Sequence, residues 1–439
     1  MPEGTVNQGI GASIHRKEDK RFLIGKGNYT DDINRAGQLH VYFLRSPVAF
    51  ADIVSIDKQK AEKASGVAAI LTGEDVAADN LGGPICGWVP TNKDGSAPSE
   101  PPHPILANGR VRYVGDHVAA VFAETLEQAM SAAELIDVTY SEMPAITDLK
   151  TAMDSPQIHD GMERNTYFDW ELGDEAATND AFDKAATIVQ VDIRNNRVIP
   201  NAMEPRAAVA DYDTGDGRYT LFTTSQNPQL TRLVIGAFML NIPESKLRVV
   251  APDVGGGFGS KIYVYPEEAV CVWASKKLGC AVKWTADRTQ AFLGDAHGRD
   301  HISDVKLALD KSNRITGLRV DTLANLGAYL SAFAMVTPTY LHGTLLSGLY
   351  DIPAIYTNVK GICTNTVNVD AYRGAGRPEA TYLLERTMDV AAKQVGMDPA
   401  EFRRLNFIPK DAFPYQTAVA LQYDIGDYEP LLDRAMTMI

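Results

Sequence analysis

A glycine-rich stretch is the part of this sequence best suited to hold a ligand. Residues 255–259 contain four glycines interrupted only by Phe258, and a short β-branched run precedes them. Glycine has no Cβ, so such a loop can adopt positive φ and bring its backbone close to a ligand. A helical pattern follows from Pro266, and the free N–H groups of a helix start attract anions. The pattern predicts a ligand-facing loop for an anionic group; the alternative is a tight turn packed under a helix.

Ordinary nucleotide motifs do not match this stretch. A P-loop needs Gly-Lys-Ser/Thr, but Ser260 lies between Gly259 and Lys261. The dinucleotide fingerprint needs a third glycine where Ser260 stands. A Gly-x-Ser-x-Gly nucleophile elbow is absent from the sequence. A nucleotide hydrolase, an ordinary dinucleotide site and a serine hydrolase are therefore disfavoured.

The glycine stretch is the second of three strand–loop–helix units. In the first, a strand at 219–222 leads to Gln226, and Asn227-Pro228 is typical of a helix start. The apolar face predicted for that helix comprises Leu230, Leu233, Val234, Ala237 and Phe238.

The third unit is predicted as a strand at 366–369, a glycine loop at 373–377 and a helix that opens at Pro378 and stops at Gly396. If the three loops converge, they place Gln226, the glycine backbone and the guanidinium groups of Arg373 and Arg377 around one pocket. Such a pocket suits a large anionic cofactor with several phosphate or oxo groups.

Two other groups of residues could do chemistry. His297 and His301 are four residues apart, but Gly298 stands where a zincin requires glutamate, so a zinc site is disfavoured and a local hydrogen-bonding cluster is expected. Glu204 is expected to pair with an arginine, and a strand-edge salt bridge and a wall of a cofactor pocket remain equally open for it.

The composition excludes several classes of protein. The chain has 439 residues, enough for two or three domains, and a net charge of −14, which argues against a nucleic-acid partner. Its four cysteines are not spaced as CxxC, so we expect reduced thiols and neither an iron–sulfur cluster nor structural zinc in this chain. Neither a signal peptide nor a membrane span is expected, and the predicted location is the cytoplasm.

Several short motifs occur in the order found in a known family. The chain resembles the molybdopterin-binding large subunit of the xanthine dehydrogenase, aldehyde oxidase and carbon monoxide dehydrogenase family. The motifs lie at residues 16–23, 112–116, 203–206, 225–228, 254–261, 295–300 and 371–379. The resemblance covers essentially the whole chain and implies an α+β protein. An N-terminal arm (1–17), an α/β hammerhead domain (18–148), a linker (149–165) and the first half of a mixed α/β molybdenum-cofactor-binding domain (166–439) are expected, with the C-terminal half of that domain missing.

The resemblance also assigns site residues. Gln226 resembles the glutamine that hydrogen-bonds an oxygen ligand of molybdenum, and Arg373 lies in the loop that closes the opposite wall, so these two are the predicted catalytic residues. The predicted cofactor-binding residues are Gln226, Gly256, Gly257, Phe258, Gly259, Arg373, Gly374, Ala375 and Gly376. No side chain is expected to ligate the metal, because the pterin sulfurs hold it. We expect Gly257→Val to abolish cofactor retention, because a β-branched residue could not adopt the required backbone shape.

The implied chemistry is hydroxylation of an aldehyde or N-heterocycle with oxygen from water. The cofactor would be molybdopterin with molybdenum, as the cytosine dinucleotide. FAD and [2Fe-2S] clusters would lie on a medium and a small partner subunit, in a dimer of heterotrimers completed by the remainder of the large subunit.

Two departures from the family pattern limit the assignment. Carbon monoxide dehydrogenases carry a copper-binding cysteine in the loop after Ala-Tyr-Arg, where this chain has Gly374, so CO oxidation is disfavoured. The catalytic glutamate of the family is expected beyond Ile439, and this fragment alone is expected to be inactive. A truncated or split chain that binds partner subunits without catalysis is the alternative.

Overall fold

A seven-stranded mixed sheet joins the early and the later parts of the chain. The structure is a computed structural model that describes residues 9–438; the beginning of the predicted arm (1–8) and Ile439 lie outside the described residues. The strands are β1 Leu39–Arg45, β2 Ala51–Asp57, β3 Val67–Thr72, β4 Arg110–Val111, β5 His117–Ala123, β6 Asp137–Glu142, β7 Thr166–Gly173, β8 Thr187–Asn195, β9 Ala207–Asp213, β10 Arg218–Thr223, β11 Leu247–Val250, β12 Val282–Thr285, β13 His301–Leu309, β14 Ile315–Gly327, β15 Ile355–Cys363, β16 Tyr415–Gln416 and β17 Gln422–Tyr423.

The large sheet has the order β11-β10-β9-β12-β1-β5-β3. Strand β1 pairs in parallel with β12, with Leu39 opposite Val282, so strands from the first 123 residues and strands from beyond residue 206 share one sheet. All seven residues of β5 are buried, as expected for a central strand covered on both faces. The core around this sheet likewise mixes early residues such as Phe43 with later ones such as Trp273. The two expected domains are thus continuous through one sheet and one core.

A second sheet, of five strands, has the order β7-β15-β14-β13-β8. Two smaller sheets are formed by β4-β2-β6 and by β16-β17. The segment predicted as a linker, 149–165, contains a short helix and buries Leu149, Ile158 and Met162 against the five-stranded sheet. It therefore contributes to the core rather than crossing solvent.

The helices cover the sheets and carry the loops between them. They are α1 Asp19–Leu23, α2 Gln59–Glu62, α3 Gly73–Ala78, α4 Leu126–Ala133, α5 Leu149–Ala152, α6 Glu175–Asp183, α7 Pro228–Leu233, α8 Pro266–Leu278, α9 Arg288–Gly294, α10 Tyr340–Gly343, α11 Arg377–Val395, α12 Pro399–Asn406 and α13 Glu429–Met438. Helix α11 ends where the sequence predicts, because Gly396 adopts the left-handed conformation that stops a helix, and Gly279 ends α8 in the same way.

Two predicted elements differ from the structure. Helix α7 continues into a π-helical turn, Val234–Met239, which rotates the following side chains relative to an ideal α-helix. Within this turn Ala237 and Phe238 of the predicted apolar face are exposed, while Ile235 and Met239 are buried; Leu233, which precedes the turn, is also exposed. The strand predicted at 366–369 is also wrong: β15 ends at Cys363, and only Val369 forms an isolated bridge, to His297.

Candidate functional site

Three loops meet at the edge of the molecule. We call them the glutamine loop (residues 224–227, between β10 and α7), the glycine loop (255–259, after β11) and the arginine loop (373–377, leading into α11). Parallel pairing of β10 with β11 brings the first two side by side. The backbone N–H of Gly259 donates to Gln226 Oε1 at 3.0 Å, and the N–H of Arg373 donates to the carbonyl of Phe258 at 2.9 Å. The predicted convergence of the three loops is confirmed.

The glycine loop needs its unusual composition for two reasons. Gly256 and Gly259 have φ of +97° and +106°, and Phe258 is held at +55° with its ring 42% exposed. A Cβ at Gly259 would overlap the carbonyl oxygen of Ala371, so glycine there allows the arginine loop to approach. A non-glycine residue held at positive φ costs about 1–3 kcal/mol and is concentrated at functional sites. Phe258 is such a residue, and the edge of its ring lies beside Gly256.

The start of helix α8 does not lie at the glycine loop. The chain turns through Ser260, whose N–H donates to the carbonyl of Gly257 at 3.1 Å, and the helix begins only at Pro266. Its first turn contains the buried carboxylates of Glu267 and Glu268, and Glu268 accepts from the N–H of Tyr265 at 3.0 Å. The predicted use of this helix start as an anion site beside the glycine loop is therefore wrong, because the helix begins after the loop has turned away and buried carboxylates lie in its first turn.

The arginine loop, like the glycine loop, contains residues held at positive φ. Gly374 and Gly376 have φ of +102° and +78°, and Ala375 is held at +41°. The N–H of Ala375 closes a tight turn onto the carbonyl of Tyr372 at 2.7 Å. Arg373 is exposed, whereas the guanidinium of Arg377 turns back to the carbonyl of Gly374 at 3.1 Å. Of the two arginines that the sequence nominates, Arg373 is therefore the one that extends away from its own loop.

The three loops present hydrogen-bond donors without protein acceptors. Within residues 9–438, no protein acceptor is recorded for the backbone N–H groups of Gly256, Gly257 and Phe258, nor for those of Gly374 and Gly376. The Oε1 atom of Gln226 is already occupied by Gly259, which leaves its Nε2 group available. Converging amides form an anion-binding concavity, and Arg373 adds a positive charge. This donor set fits an anionic pterin cofactor. In the described part of the chain no cluster of histidine, cysteine or carboxylate side chains could hold a metal by itself.

A buried lysine supports the glycine loop from below. Lys261 is 2% exposed, and its Nζ donates to the backbone carbonyl of Glu204 at 2.8 Å and to Glu204 Oε2 at 2.9 Å. Glu204 Oε2 also accepts from the N–H of Gly255 at 2.7 Å. Burial lowers the pKa of Lys261, and Glu204 opposes that shift. The expected arginine partner for Glu204 is wrong: its partner is Lys261, and the carboxylate fixes the beginning of the glycine loop.

Arg206, two residues after Glu204, belongs to a buried charge cluster that sequence inspection missed. Its guanidinium pairs with Glu267 at 3.0 Å and with Asp295 at 2.6 Å, and Arg45 reaches Glu267 at 2.6 Å. Glu267 is 0% exposed; burial pushes its pKa upward, but Arg206, His117 and Arg45 outweigh burial and hold it well below its ordinary value. These partners lie up to 222 residues apart, so no local pattern signals them.

The histidine pair does not act as a pair. His297 Nε2 lies 3.2 Å from the carbonyl of Phe292, whereas His301 begins β13 and is buried. Between them, Asp300 accepts from Arg197 at 2.8 Å, and Arg299 reaches Glu379 at 3.1 Å. The hydrogen bonding expected around Arg299 and Asp300 is confirmed, but its partners are remote in sequence and the cluster is not local.

A cavity of about 450 Å³ lies away from the three loops. Its lining includes Lys93, Asp94, Arg164 and Lys360, and none of its lining residues belongs to the three loops. Its mixed charges do not match the donor-only character of the loop site.

The effect of Gly257→Val is expected to arise from crowding rather than from backbone conformation. The φ of Gly257 lies outside the left-handed region, so the expected reason for this variant is wrong. A Cβ there would instead overlap the side-chain amide of Gln226. We expect Gly257→Val to displace Gln226 and to lower cofactor retention, measured as molybdenum per chain, with a loss of stability of about 1–3 kcal/mol. Normal retention would show that the glutamine can move without consequence.

Comparison with known proteins agrees with this geometry. Residues 158–407 match the model of the molybdopterin cofactor-binding domain, and residues 24–144 match that of the aldehyde oxidase and xanthine dehydrogenase a/b hammerhead domain. The chain belongs to the family of molybdopterin-binding large subunits that includes the xanthine and carbon monoxide dehydrogenases. Its fold is accordingly α+β, with a hammerhead domain followed by a mixed α/β cofactor-binding domain.

Individual members of the family are similar over nearly the whole chain. The carbon monoxide dehydrogenase large chain of Hydrogenophaga pseudoflava is 38% identical over 96% of this chain and 53% of its own length. The nicotine 6-hydroxylase large subunit of Paenarthrobacter nicotinovorans is 31% identical over 98% of this chain and 52% of its own. The crystal structure of quinoline 2-oxidoreductase from Pseudomonas putida 86 superposes with a TM-score of 0.90 at 34% identity, covering 98% of this chain and 54% of that one. The chain thus spans about half the length of these relatives.

Two further observations concern the described residues. None of their helices combines the length and the apolar character needed to cross a bilayer. All four cysteines are free, and three of them, Cys86, Cys271 and Cys363, are buried.

Proposed function

We propose that this chain is the cofactor-binding part of a molybdenum hydroxylase large subunit that oxidises an aldehyde or an N-heterocycle. The membership of the family supports a molybdopterin-dependent oxidoreductase. The observation that carries the proposal is the convergence of the three loops, with the carbonyl end of the Gln226 amide fixed by Gly259. When bound, the molybdenum cofactor would supply the two-electron oxidation, with oxygen derived from water.

In this proposal the chain's own residues bind and orient. The free amides of Gly256, Gly257 and Phe258 on one wall, and those of Gly374 and Gly376 with the Arg373 guanidinium on the other, would hold the cofactor. Gly259 and Ala375, whose amides bind Gln226 and Tyr372, would shape the two walls. Gln226 would donate from Nε2 toward the cofactor, because its Oε1 is occupied. Preorganised donors of this kind need no rearrangement during the reaction. Residues 18–148 and 166–439 would form the two domains, and residues 149–165 the segment between them.

Further components belong to the proposal. The cofactor would be the cytosine dinucleotide form of molybdopterin. FAD and [2Fe-2S] would be carried by a medium and a small subunit, and the remainder of the large subunit would supply the base that takes the proton from the water-derived hydroxyl. A cytoplasmic dimer of heterotrimers is the proposed assembly. These proposals draw on the curated relatives named as large chains or large subunits.

The arginine loop weighs against CO as the substrate. Position 374 is glycine, with φ of +102°, and a Cβ there would meet the ring of Pro378 at 2.5 Å. The loop therefore offers no thiolate at this place and has no room for one without rearrangement. The names of the nicotine and quinoline enzymes support an N-heterocycle as the first substrate class to assay. Oxidation of CO by the purified complex, with no oxidation of aldehydes or N-heterocycles, would contradict the proposal.

Replacing Gln226 tests its proposed role directly. We expect Gln226→Ala to lower turnover by about 100-fold, because a preorganised donor is lost. The free energy of unfolding should fall by only about 1 kcal/mol, the value of one hydrogen bond. Steady-state kinetics and urea unfolding of the assembled enzyme measure the two effects.

A matched control is available on the same segment. Gln229 is exposed on α7, two residues from the glutamine loop, so Gln229→Ala should leave both quantities unchanged. Equal and proportionate losses of turnover and stability in Gln226→Ala would indicate a purely structural residue.

A further inference from the structure

We propose that Arg299 is the positioning residue that sets the arginine loop, and this inference rests on the proposed function of that loop. Its Nη1 donates to the carbonyl of Tyr372 at 3.1 Å, and its Nη2 donates to the carbonyl of Arg373 at 2.9 Å. The guanidinium also lies 4.8 Å above the centre of the Tyr372 ring. A planar guanidinium can grip two successive carbonyls in this way, whereas an ammonium is a single point of charge.

The Arg299 guanidinium is buried and contacts protein groups rather than solvent. Arg299 is 9% exposed, and its charge is balanced by Glu379, which is 2% exposed, through an Nη1–Oε1 distance of 3.1 Å. Glu379 belongs to the first turn of α11, immediately after the arginine loop. Arg299 therefore connects the start of the arginine loop, through the carbonyls of residues 372 and 373, with the first turn of α11, through the carboxylate of Glu379.

The backbone that carries Arg299 is held in an unfavourable conformation. Arg299 and Asp300 have φ of +67° and +66°, two successive non-glycine residues in the left-handed region. Asp300 secures the bend by accepting from Arg197 at 2.8 Å and from Asn325 at 3.0 Å. Such a conformation persists only where the surroundings fix it, and here it directs the Arg299 side chain at the arginine loop.

Buried polar atoms of Glu379 and His342 also indicate that Arg299 supports the arginine loop. Glu379 Oε2 and both ring nitrogens of His342 are buried without a protein partner in the described residues. Burial lowers the pKa of His342 to about 4, so the imidazole is neutral at physiological pH and does not replace Arg299 as the partner of Glu379. Arg299 is thus the cation that neutralises Glu379, and the loop position depends on it.

The position of the arginine loop also affects the glycine loop and Gln226. The arginine loop donates from the N–H of Arg373 to the carbonyl of Phe258, and Gly259 in turn donates to Gln226. A shift of the carbonyls at 372 and 373 would therefore move the glycine loop and the glutamine amide together. Arg299 acts through these loops and is not placed to touch the cofactor itself.

Amide hydrogen exchange of the full chain tests this inference without any cofactor. In Arg299→Lys the charge remains but the paired grip on two carbonyls is lost, so exchange across residues 371–377 should accelerate about tenfold, as expected when one charge-assisted hydrogen bond is lost. Arg403→Lys is the matched control, because Arg403 likewise binds a carboxylate and a backbone carbonyl of α11, both at Glu385, but makes no contact with the arginine loop. It should leave exchange at 371–377 unchanged.

A second variant covers the case in which the single substitution does not fold. The double substitution Arg299→Met and Glu379→Met removes both buried charges, a change that proteins often tolerate. It should give the same acceleration across 371–377. Unchanged exchange in folded Arg299→Lys or in the double variant would overturn the inference.

The assembled enzyme provides a second readout that separates the two proposals. In Arg299→Lys the molybdenum electron paramagnetic resonance signal should differ from wild type, while in Arg403→Lys it should not. If wild-type enzyme holds no molybdenum yet the exchange difference is present, the proposed function fails and the positioning role stands. If wild type holds molybdenum and exchange and the resonance signal are both unchanged in Arg299→Lys, the positioning role fails.

Discussion

Gly259→Ala is expected to eliminate retention of molybdenum by an otherwise assembled enzyme. The φ of +106° at this position is strained for any L side chain, and a Cβ would overlap the carbonyl oxygen of Ala371. That carbonyl cannot easily move, because it accepts the hydroxyl of the buried Tyr263 at 2.7 Å. Strain and overpacking together should cost about 2–6 kcal/mol. The loops would separate, and the amide of 259 would lose Gln226. Metal analysis and thermal unfolding of the purified variant measure the two consequences.

A glycine elsewhere in the chain gives the control for this variant. Gly279 also has positive φ, +69°, but a Cβ there would meet no atom within 4 Å. Gly279→Ala should therefore cost only about 1 kcal/mol and leave molybdenum content intact. If both alanine variants lose the same amount of metal, close approach of the two loops is not the cause.

Glu267→Gln is expected to destabilise the protein by about 3–5 kcal/mol, because it leaves two buried arginines with too little negative charge. Both Arg45 and Arg206 approach this carboxylate, one from the strand β1 and one from just before β9. The cluster also fixes the first turn of α8, which follows the glycine loop. Urea unfolding of wild type and variant gives the difference in free energy.

The pH dependence of the stability difference, and the effect of breaking an exposed ion pair, provide the checks for Glu267→Gln. Because the folded-state pKa of Glu267 lies below its unfolded value, its contribution is fully present above the ordinary glutamate pKa and is lost only as pH falls through the folded pKa. The difference between wild type and variant should therefore persist at neutral pH and shrink in acid. Asp180→Asn breaks an exposed pair with Lys184 and should cost under about 1 kcal/mol. Equal effects of the two substitutions would contradict a stabilising buried cluster.

Local signals in the sequence predict the elements that carry the site. Strand β5 is a continuous apolar run, and α8 and α11 each have proline in the first turn and glycine just past the end. Thr125 and Gln128, three residues apart, form a capping box at the start of α4. The three loops could be nominated because glycine clusters and helix-start residues occupy fixed offsets from these elements.

The remaining features depend on contacts that are remote in sequence. The pairing of Leu39 with Val282, which unites the two domains in one sheet, has no counterpart in local periodicity. Lysine rather than arginine pairs with Glu204 because the turn after the glycine loop brings Lys261 beneath it. The π-helical turn after α7 rotates Phe238 into solvent, a change that a fixed helical period cannot predict. In the sequence Arg299 is only one residue of a charged motif. Its proposed positioning role follows from the tertiary contacts of its guanidinium.

The most direct test is molybdenum and pterin analysis of the folded chain, purified together with the proposed partner subunits and the proposed remainder of the large subunit. The account predicts stoichiometric molybdenum with a pterin in the wild type, and loss of both in Gly259→Ala while Gly279→Ala retains them. A wild-type complex that is folded and fully assembled but contains neither metal nor pterin would contradict the claim that the three converging loops hold this cofactor.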